Sequence, residues 1–384
     1  MHNISVRKFS DHIAIVGAGI AGLALGAILK EAKIPVVIFE KSIDISEYGA
    51  GITISPNAIK ILQHLDIFDN IVFASAHPKQ ATFYSTRKKI THFKVDVITT
   101  SRKVLYKNLY DKYISLGGEI LFEHELCDFN LDKSEIYFKE NKTYKVRHIA
   151  ACDGIKSLFR KKIDEEKDPE YSGYSVWRSI IKKKQKNIQT YLGPNHHVVT
   201  YPISSTHISF IAAIKTNKKY KQSWKTTGNY SELKKDLKFT NKDVNALIDE
   251  KTPLFKWGVY VRPTIKKLQF KNLTLLGDAA HPIVPFIGQG ACLALEDAFI
   301  FGNLLIKHNS EIKKTQNIYE LSRINRIKKI SYLSLRQGYL NHISNPIIIY
   351  FRNLVMKYLP EFAMRSLRLH VWNYDVDKAL RKFD

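Results

Sequence analysis

The tightest constraint on this chain is residues 13–40, IAIVGAGIAGLALGAILKEAKIPVVIFE. Ile13, Ala14, Ile15 and Val16 form an apolar run of the kind that makes a strand buried on both faces. Gly17, Gly19 and Gly22 follow in G-x-G-x-x-G spacing. Small apolar residues continue at helical spacing to about Leu29, and residues 34–39 form a second buried run closed by Glu40. Strand, glycine turn, helix, strand and acid make a βαβ unit of roughly 30 residues. Gly17 permits the turn off the strand, Gly19 lets a pyrophosphate approach the backbone, and Gly22 lets the helix lie close to the sheet. The helix N-terminus presents unpaired N–H groups and a positive dipole end to the phosphates. Glu40, 18 residues beyond Gly22, stands where a carboxylate accepts hydrogen bonds from a ribose. A bare glycine motif can be a plain turn; with both strands, the helix and the acid in place, it predicts dinucleotide binding.

The rest of the composition narrows the setting. With 384 residues, 45% hydrophobic and 25% charged, the chain can bury a large core and two domains. Its net charge of +24 could attract nucleic acid or anionic surfaces, but the lysines are scattered in short runs such as 182–184. Without a zinc-finger spacing, no nucleic-acid partner is expected. Cys127, Cys152 and Cys292 are far apart and odd in number, which suits a reducing cytoplasm rather than a disulfide framework or metal site. No signal-peptide pattern precedes Ile13, and the uncharged run 13–29 is shorter than the ~20 residues of a membrane span. A cytoplasmic monomer with no membrane span is expected.

Further along, Gly49 and Gly51 suit a backbone close to a ligand, and Ser55 or Asn57 could cap a helix to about Leu65, with Pro56 in its first turn. Residues 79–97 alternate as an antiparallel hairpin, 102–116 read as a helix ended by Gly117 and Gly118, and 119–149 as several short strands. A buried strand ends at Asp153-Gly154, followed by the charged loop 164–170. Residues 171–216 are again antiparallel in pattern, 217–250 are lysine-rich, 273–277 form another short strand, 288–305 are helical, and 312–342 make a basic amphipathic helix. Neither of the blocks 79–97 and 171–259 has enough strands alone for a stable sheet, so together they predict one inserted domain.

Three separated motifs line up: GAGIAG with Glu40; ACDG, residues 151–154; and LLGDAAHPIVPFIGQGACLALEDA, residues 275–298. With Arg102 at a helix start, the whole chain resembles the FAD-dependent aromatic hydroxylases of the para-hydroxybenzoate hydroxylase type. The resemblance implies an α/β fold: a Rossmann-like FAD-binding domain (1–78, 98–170 and 260–342), an inserted antiparallel β-sheet substrate domain (79–97 and 171–259), and a C-terminal helical segment (343–384). It implies that Asp278 meets the ribityl chain, that Pro285, Gly288, Gln289 and Gly290 bring backbone to the flavin ring, and that the helix behind them favours the charge of reduced flavin. Asp153 and Gly154 match the pyrophosphate and NAD(P)H motif, Arg102 a cofactor arginine, and Leu126 the residue whose backbone meets the adenine. Lys41 stands where many relatives carry arginine, and lysine is only a point charge. A single G-x-G-x-x-G fits enzymes that take NAD(P)H without a second Rossmann domain.

The implied reaction is monooxygenation, in which NAD(P)H reduces FAD and a flavin hydroperoxide formed with dioxygen delivers one oxygen to an electron-rich carbon. The chain is similar to both salicylate-hydroxylase-like enzymes and tetracycline-inactivating monooxygenases. The expected substrate is a phenolic or enolic polycycle, tetracycline included; the alternatives are a small aromatic acid, or an oxidase or epoxidase on the same fold. No catalytic nucleophile or metal site is expected. His281 reads as structural, and His196 and His197 point to opposite faces of a strand. Tyr201, Phe210, Trp257 and Phe286 are candidates for the substrate pocket. Residues from about 345 carry Ile347, Ile348, Ile349, Phe351, Leu354, Val355, Tyr358 and Leu359 around a helix with Arg352 and Lys357. So much apolar circumference predicts a helix packed between the two domains, shaping the substrate entrance; peripheral membrane contact is the alternative reading of 345–359.

Overall fold

Alternating burial organises the molecule around two sheets. The computed structural model describes residues 8–44, 51–163, 167–221, 226–263, 265–359 and 371–382. Gly49, part of the loop 164–170 and the start of the C-terminal motif LHVWNYD lie outside the described residues. The first sheet has the order β17-β18-β11-β1-β2-β7: Gln269–Phe270, Leu273–Leu275, His148–Ala151, Ile13–Val16, Val36–Phe39 and Ile120–Leu121. Strands β1, β2, β11 and β18 are parallel neighbours and buried at every position, because both faces are covered: helices lie on the side of Ile38, and Phe138 stacks on Phe39 at 4.8 Å on the other. Helix α1 (Ile20–Glu31) is buried from Ile20 to Leu29 between this sheet and two other helices. It has no polar face, so its apolar residues suit a fully covered helix.

The second sheet has seven strands, in the order β16-β12-β15-β14-β13-β4-β5: Phe255–Val261, Glu170–Lys182, His207–Lys215, His196–Pro202, Ile188–Gly193, Gln80–Tyr84 and Lys89–Lys94. The hairpin of 79–97 thus joins the later strands through a parallel pairing of β4 with β13. The two-residue period sorts the side chains. Trp177, Tyr191, Val198, Ile208, Phe210, Ala212 and Ile214 face one way, onto Leu233 of α4 (Tyr230–Asp236) and Leu237, Val244 and Leu247. Val176, Ala213, Trp257 and Val259 face the other way, with Val284 and Phe286. Phe210 therefore does not line a pocket with Tyr201 and Trp257. It is 0% exposed in the core behind the sheet, on the opposite parity of its strand.

A two-stranded ladder of β3 (Gly51–Ile54) and β6 (Ile98–Ser101) joins the sheets. Thr99 Oγ1 donates to the Pro202 carbonyl at 2.6 Å. A Cβ on Gly51 would lie 2.3 Å from Ser209 Cβ and 2.8 Å from the Tyr201 ring, so the close approach expected at Gly51 is to the protein's own sheet. The strands β8 (Leu126–Asn130), β9 (Glu135–Phe138) and β10 (Lys142–Lys145) form a separate three-stranded sheet.

Helix α2 (Pro56–His64) begins after Ser55, but the Ser55 hydroxyl does not cap it; it donates to Asn57 Oδ1 inside a buried polar cluster. Helix α3 (Arg102–Ser115) is capped by Ser101, whose Oγ accepts from Val104 N. Helices α5 (Gly290–Lys307), α6 (Ile312–Asn341) and α7 (Pro346–Tyr358) complete the described C-terminal part, with a short helix at Val376–Arg381. The sandwiched helix expected at 345–359 is not what forms. No residue of α7 is buried, and among the larger contacts of the described elements it rests against β5. No helix among the described residues is long and apolar enough to cross a membrane.

Candidate functional site

The carboxyl ends of β1, β11 and β18 are adjacent, so the loops that leave them converge. Gly17 N donates to the Phe39 carbonyl at 2.8 Å, Cys152 N to Val16 at 2.9 Å and Leu276 N to Ala151 at 3.0 Å. Gly17 has φ +104°, and a Cβ there would lie 2.4 Å from the Cys152 carbonyl oxygen, so only glycine fits between the two loops. A Cβ on Gly22 would lie 2.0 Å from the Gly17 carbonyl oxygen, which is the close packing of helix onto turn. Gly19, Gly154 and Gly290 are different: nothing lies within 4 Å of where their Cβ would be. Three glycines bordering open space, rather than filling a packing need, mark a cradle for a ligand. No side chain caps α1 at Gly19 or α5 at Gln289, so both helix N-termini keep backbone amides for that ligand.

The acids are placed around the cradle. Glu40 Oε2 accepts from Ala18 N at 2.8 Å and Oε1 from Ser42 N at 2.9 Å, which locks the carboxylate against the glycine turn. The chain passing towards Leu126 runs beside it, with His124 N donating to the Glu40 carbonyl at 2.9 Å. Lys41 is exposed and its charge reaches Asp153. Asp153 Oδ2 accepts from Leu158 N at 3.0 Å, while Oδ1 is buried and meets no hydrogen-bond donor at normal distance among the described residues, and desolvation pushes the carboxyl up to about 6 against the pull of Ser157. Asp278 is exposed to solvent on one side; protein around the rest of the residue desolvates the carboxyl and raises it above the usual range, against the charges of His281 and Arg102.

Beneath the loop of residues 277–290 lies a buried ionic network. His281 Nε2 pairs with Asp297, whose Oδ2 also accepts from Gly277 N at 2.9 Å. Arg323 reaches Asp297 Oδ1 and Glu296 Oε2, both at 2.7 Å, and Arg326 reaches Glu296 Oε1 at 2.8 Å. Burial works against both acids, yet the surrounding cations win: Glu296 is held below its usual range, and Asp297, beside His281 and Arg323, falls to about 2. Asn57 Nδ2 donates to Glu296 at 2.6 Å and to Gln289 Oε1 at 3.1 Å, and Gln289 Nε2 donates to Ser55 Oγ at 2.8 Å. The Gln289 side chain, 1% exposed, is therefore a brace for the loop; any contact it makes with a cofactor goes through its backbone. Pro285 opens the short 3-10 turn that ends at Gly288 with φ +65°.

The inner face of the seven-stranded sheet presents Arg178, with its guanidinium carbon 5.1 Å from the Trp257 ring centre. Arg178 also feels the charges of Tyr201 and of Arg102, the first residue of α3. Desolvation lowers it to about 10, which leaves it protonated at neutral pH. Tyr201 is buried beside Ser209, and burial raises its hydroxyl. Phe286 packs edge-on against Tyr174 at 4.9 Å and His197 at 5.5 Å. The sheet thus brings Tyr201, Trp257 and Phe286 to one face and leaves Phe210 on the other. Sequence reasoning passed over Arg178, although strand alternation puts it on the face of Tyr174 and Val176.

His342 lies under this face: its Nδ1 donates to the Gly338 carbonyl at 2.6 Å, and its Nε2 is 3.2 Å from His197 Nδ1. Desolvation lowers His197 well below its usual range and His342 to about 4. The unfolded chain would protonate His342 near its ordinary value of about 6.5, whereas the folded one does so only near 4. Its contribution is therefore complete above about pH 6.5 and is lost as the pH falls through the window down to 4, by roughly 3 kcal/mol. Urea denaturation of wild type and His342→Asn across this range tests it: the wild type should lose more stability on acidification than the variant, and parallel curves would refute it. Among the described residues, no cluster of His, Cys, Asp and Glu could hold a metal ion.

A model of the FAD binding domain family matches residues 11–327. The chain belongs to that family. It is similar to the 3-hydroxybenzoate 6-hydroxylase of Polaromonas naphthalenivorans, 26% identical with 86% of this chain and 88% of that one covered. It is also similar to the 6-hydroxynicotinate 3-monooxygenase of Pseudomonas fluorescens, 24% identical with 88% and 94% covered. In fold it matches a salicylate hydroxylase solved with its substrate, at a TM-score of 0.83 and 21% identity, covering 97% of this chain and 98% of that one. It likewise matches Klebsiella pneumoniae HpxO with FAD and uric acid, at 0.81 and 20%, covering 96% of each. The protein is an FAD-dependent monooxygenase with a Rossmann-like cofactor domain. The open glycine positions, uncapped helix ends and buried Asp153 oxygen fit that cofactor.

Proposed function

We propose that this monooxygenase hydroxylates a small aromatic acid carrying a ring hydroxyl, at the expense of NAD(P)H and dioxygen. The observation that carries the reading is Arg178: a protonated guanidinium on the inner face of the sheet, beside the Trp257 ring and within reach of Tyr201 and Arg102. A guanidinium carries five N–H donors, so it can meet a substrate carboxylate besides the contacts it already makes. The curated relatives point the same way, since their names specify 3-hydroxybenzoate, 3-amino-4-hydroxybenzoate and 6-hydroxynicotinate. This favours the small-acid alternative over the polycyclic one, tetracycline included. The surface position of α7 takes away one support of the polycyclic reading.

In this reading Gly19 and the α1 N-terminus take the FAD pyrophosphate, on the turn that Gly17 and Gly22 allow. Glu40 takes the ribose, Leu126 borders the adenine, and Lys41, Arg102 and Asp153 complete the polar wall. Asp278, Pro285, Gly288 and Gly290 hold the flavin end. FAD, when bound, supplies the redox chemistry and the activated oxygen. Arg178 orients the substrate carboxylate. Tyr201, Trp257 and Phe286 wall the ring, and the apolar sheet face around them excludes water. Strands from 79–97 and 171–259 would then be the substrate domain, and the three segments around them the cofactor domain.

NAD(P)H oxidation, oxygen uptake and product mass with hydroxybenzoates, hydroxynicotinates, neutral phenols and tetracyclines test the reading. Coupled turnover should be fastest with an acid. Arg178→Gln should cost about ten- to a hundredfold in kcat/KM for acids, and little for a neutral phenol. Coupled turnover of tetracyclines but not of acids would overturn the proposal; oxygen uptake indifferent to any aromatic would point to an oxidase.

A further inference from the structure

Helix α7 carries its polarity inside out. Ile349, Arg352, Asn353 and Met356 are its less exposed side, and Arg352 donates from NH1 to the Leu340 carbonyl at 3.0 Å, tying α7 to the end of α6. Ile347, Ile348, Tyr350, Phe351, Leu354, Val355 and Tyr358 point outwards at 38–68% exposure. The helix is nonetheless firmly started, with Asn345 Oδ1 accepting from Ile347 N and Ile348 N after Pro346 enters the first turn. The exposed side of α6 adds Tyr332, Leu335, Tyr339 and Leu340, the last at the turn whose carbonyl Arg352 holds. So much clustered apolar and aromatic surface exceeds the scattered exposure ordinary for a protein surface, and marks an interaction face.

Charge decides between the occupants of that face. Residues 321–359 contain no Asp or Glu, while Lys328, Lys329, Arg336 and Lys357 are exposed around the apolar patch. Two copies meeting through it would bring these cations together with no acid of the same stretch to pair them. A bilayer with anionic headgroups would accept both parts at once: apolar side chains at the acyl boundary, tyrosines at headgroup level and cations among the phosphates. At 13 residues α7 is too short to span and suited to lie flat.

We propose that the α6–α7 face is a docking surface for an anionic lipid bilayer, holding the enzyme on a membrane without inserting through it. The test is vesicle flotation of the full-length FAD-loaded protein. The vesicles are phosphatidylcholine alone or phosphatidylcholine mixed with phosphatidylglycerol. The protein should float with the mixed vesicles and not with the neutral ones, and high salt should weaken the association. Phe351→Ser combined with Leu354→Ser should reduce partitioning about tenfold or more, and Lys328→Gln combined with Lys329→Gln severalfold. FAD absorbance and circular dichroism should be unchanged in both. Undiminished flotation of the Phe351/Leu354 variant would mean that the overall +24 charge alone carries binding, and would overturn the proposal. So would failure to float, whether or not sedimentation shows a dimer that the same variant dissociates; such a dimer would assign the face to a second copy.

Discussion

Arg323→Met is expected to lower the unfolding free energy by about 3–5 kcal/mol, the usual cost of removing one partner from a buried ion pair. Arg323, Glu296 and Asp297 are all 0% exposed. Without the guanidinium, Asp297 keeps His281 and Gly277 N, and Glu296 keeps Arg326 and Asn57. The surviving carboxylates would be desolvated without full compensation, and Asp297 would rise from about 2 towards protonation. Because Asp297 also anchors Gly277, the loop carrying Asp278 should loosen, and FAD should dissociate more readily. Denaturant unfolding of the apo-protein measures the first effect and FAD titration the second. Arg323→Lys keeps the charge but not the fork that meets both acids, so it should recover only part of either. A loss below about 1 kcal/mol in the methionine variant would mean that the network relaxes without this residue.

Gly19→Val is expected to yield a folded, colourless protein, whereas Gly22→Ala should fail to fold stably. The two glycines are three residues apart in one motif, yet their surroundings differ. Gly19 has φ −75°, open to any residue, and its missing Cβ faces empty space, so a branched side chain fits until the pyrophosphate has to. The cost to the chain should stay near the ~1 kcal/mol of a changed helix cap. A Cβ on Gly22 would lie 2.0 Å from the Gly17 carbonyl oxygen, and backbone has nowhere to move between β1 and β11. Circular dichroism, thermal melting and FAD absorbance of the two variants separate the outcomes. A yellow Gly19→Val protein would mean that the cofactor does not approach this loop, and a stable Gly22→Ala protein that the turn can open.

Both comparisons show where sequence was enough. The βαβ unit of residues 13–40 was legible because its evidence is local: short buried runs, glycine spacing and an acid all lie within one stretch that folds on itself. The same holds for the strand that leads to Asp153 and for the turn and helix after Pro285. The paired strands of β3 and β6 were less visible: each has four residues, and they are held in register by contacts with Ser209, Tyr201 and Pro202, far along the chain.

The substrate side shows the limit most clearly. Alternation along a strand tells which residues share a face, but which face meets the cleft depends on what covers the other one. Helix α4 and its neighbours cover the side of Phe210, and the loop carrying Phe286 covers the side of Trp257 and Arg178. Gln289 likewise belongs to a motif that reads as cofactor contact, yet Ser55 and Asn57, more than 200 residues earlier, turn its side chain inwards. Apolar residues around α7 demand cover, but only the folded chain leaves that demand unmet at the surface. The sequence by itself determined the cofactor-binding unit, because local backbone geometry and small residues dictate it. Tertiary packing alone decided the substrate face, the ionic brace and the exposed helix, because each depends on partners brought together only when the chain closes.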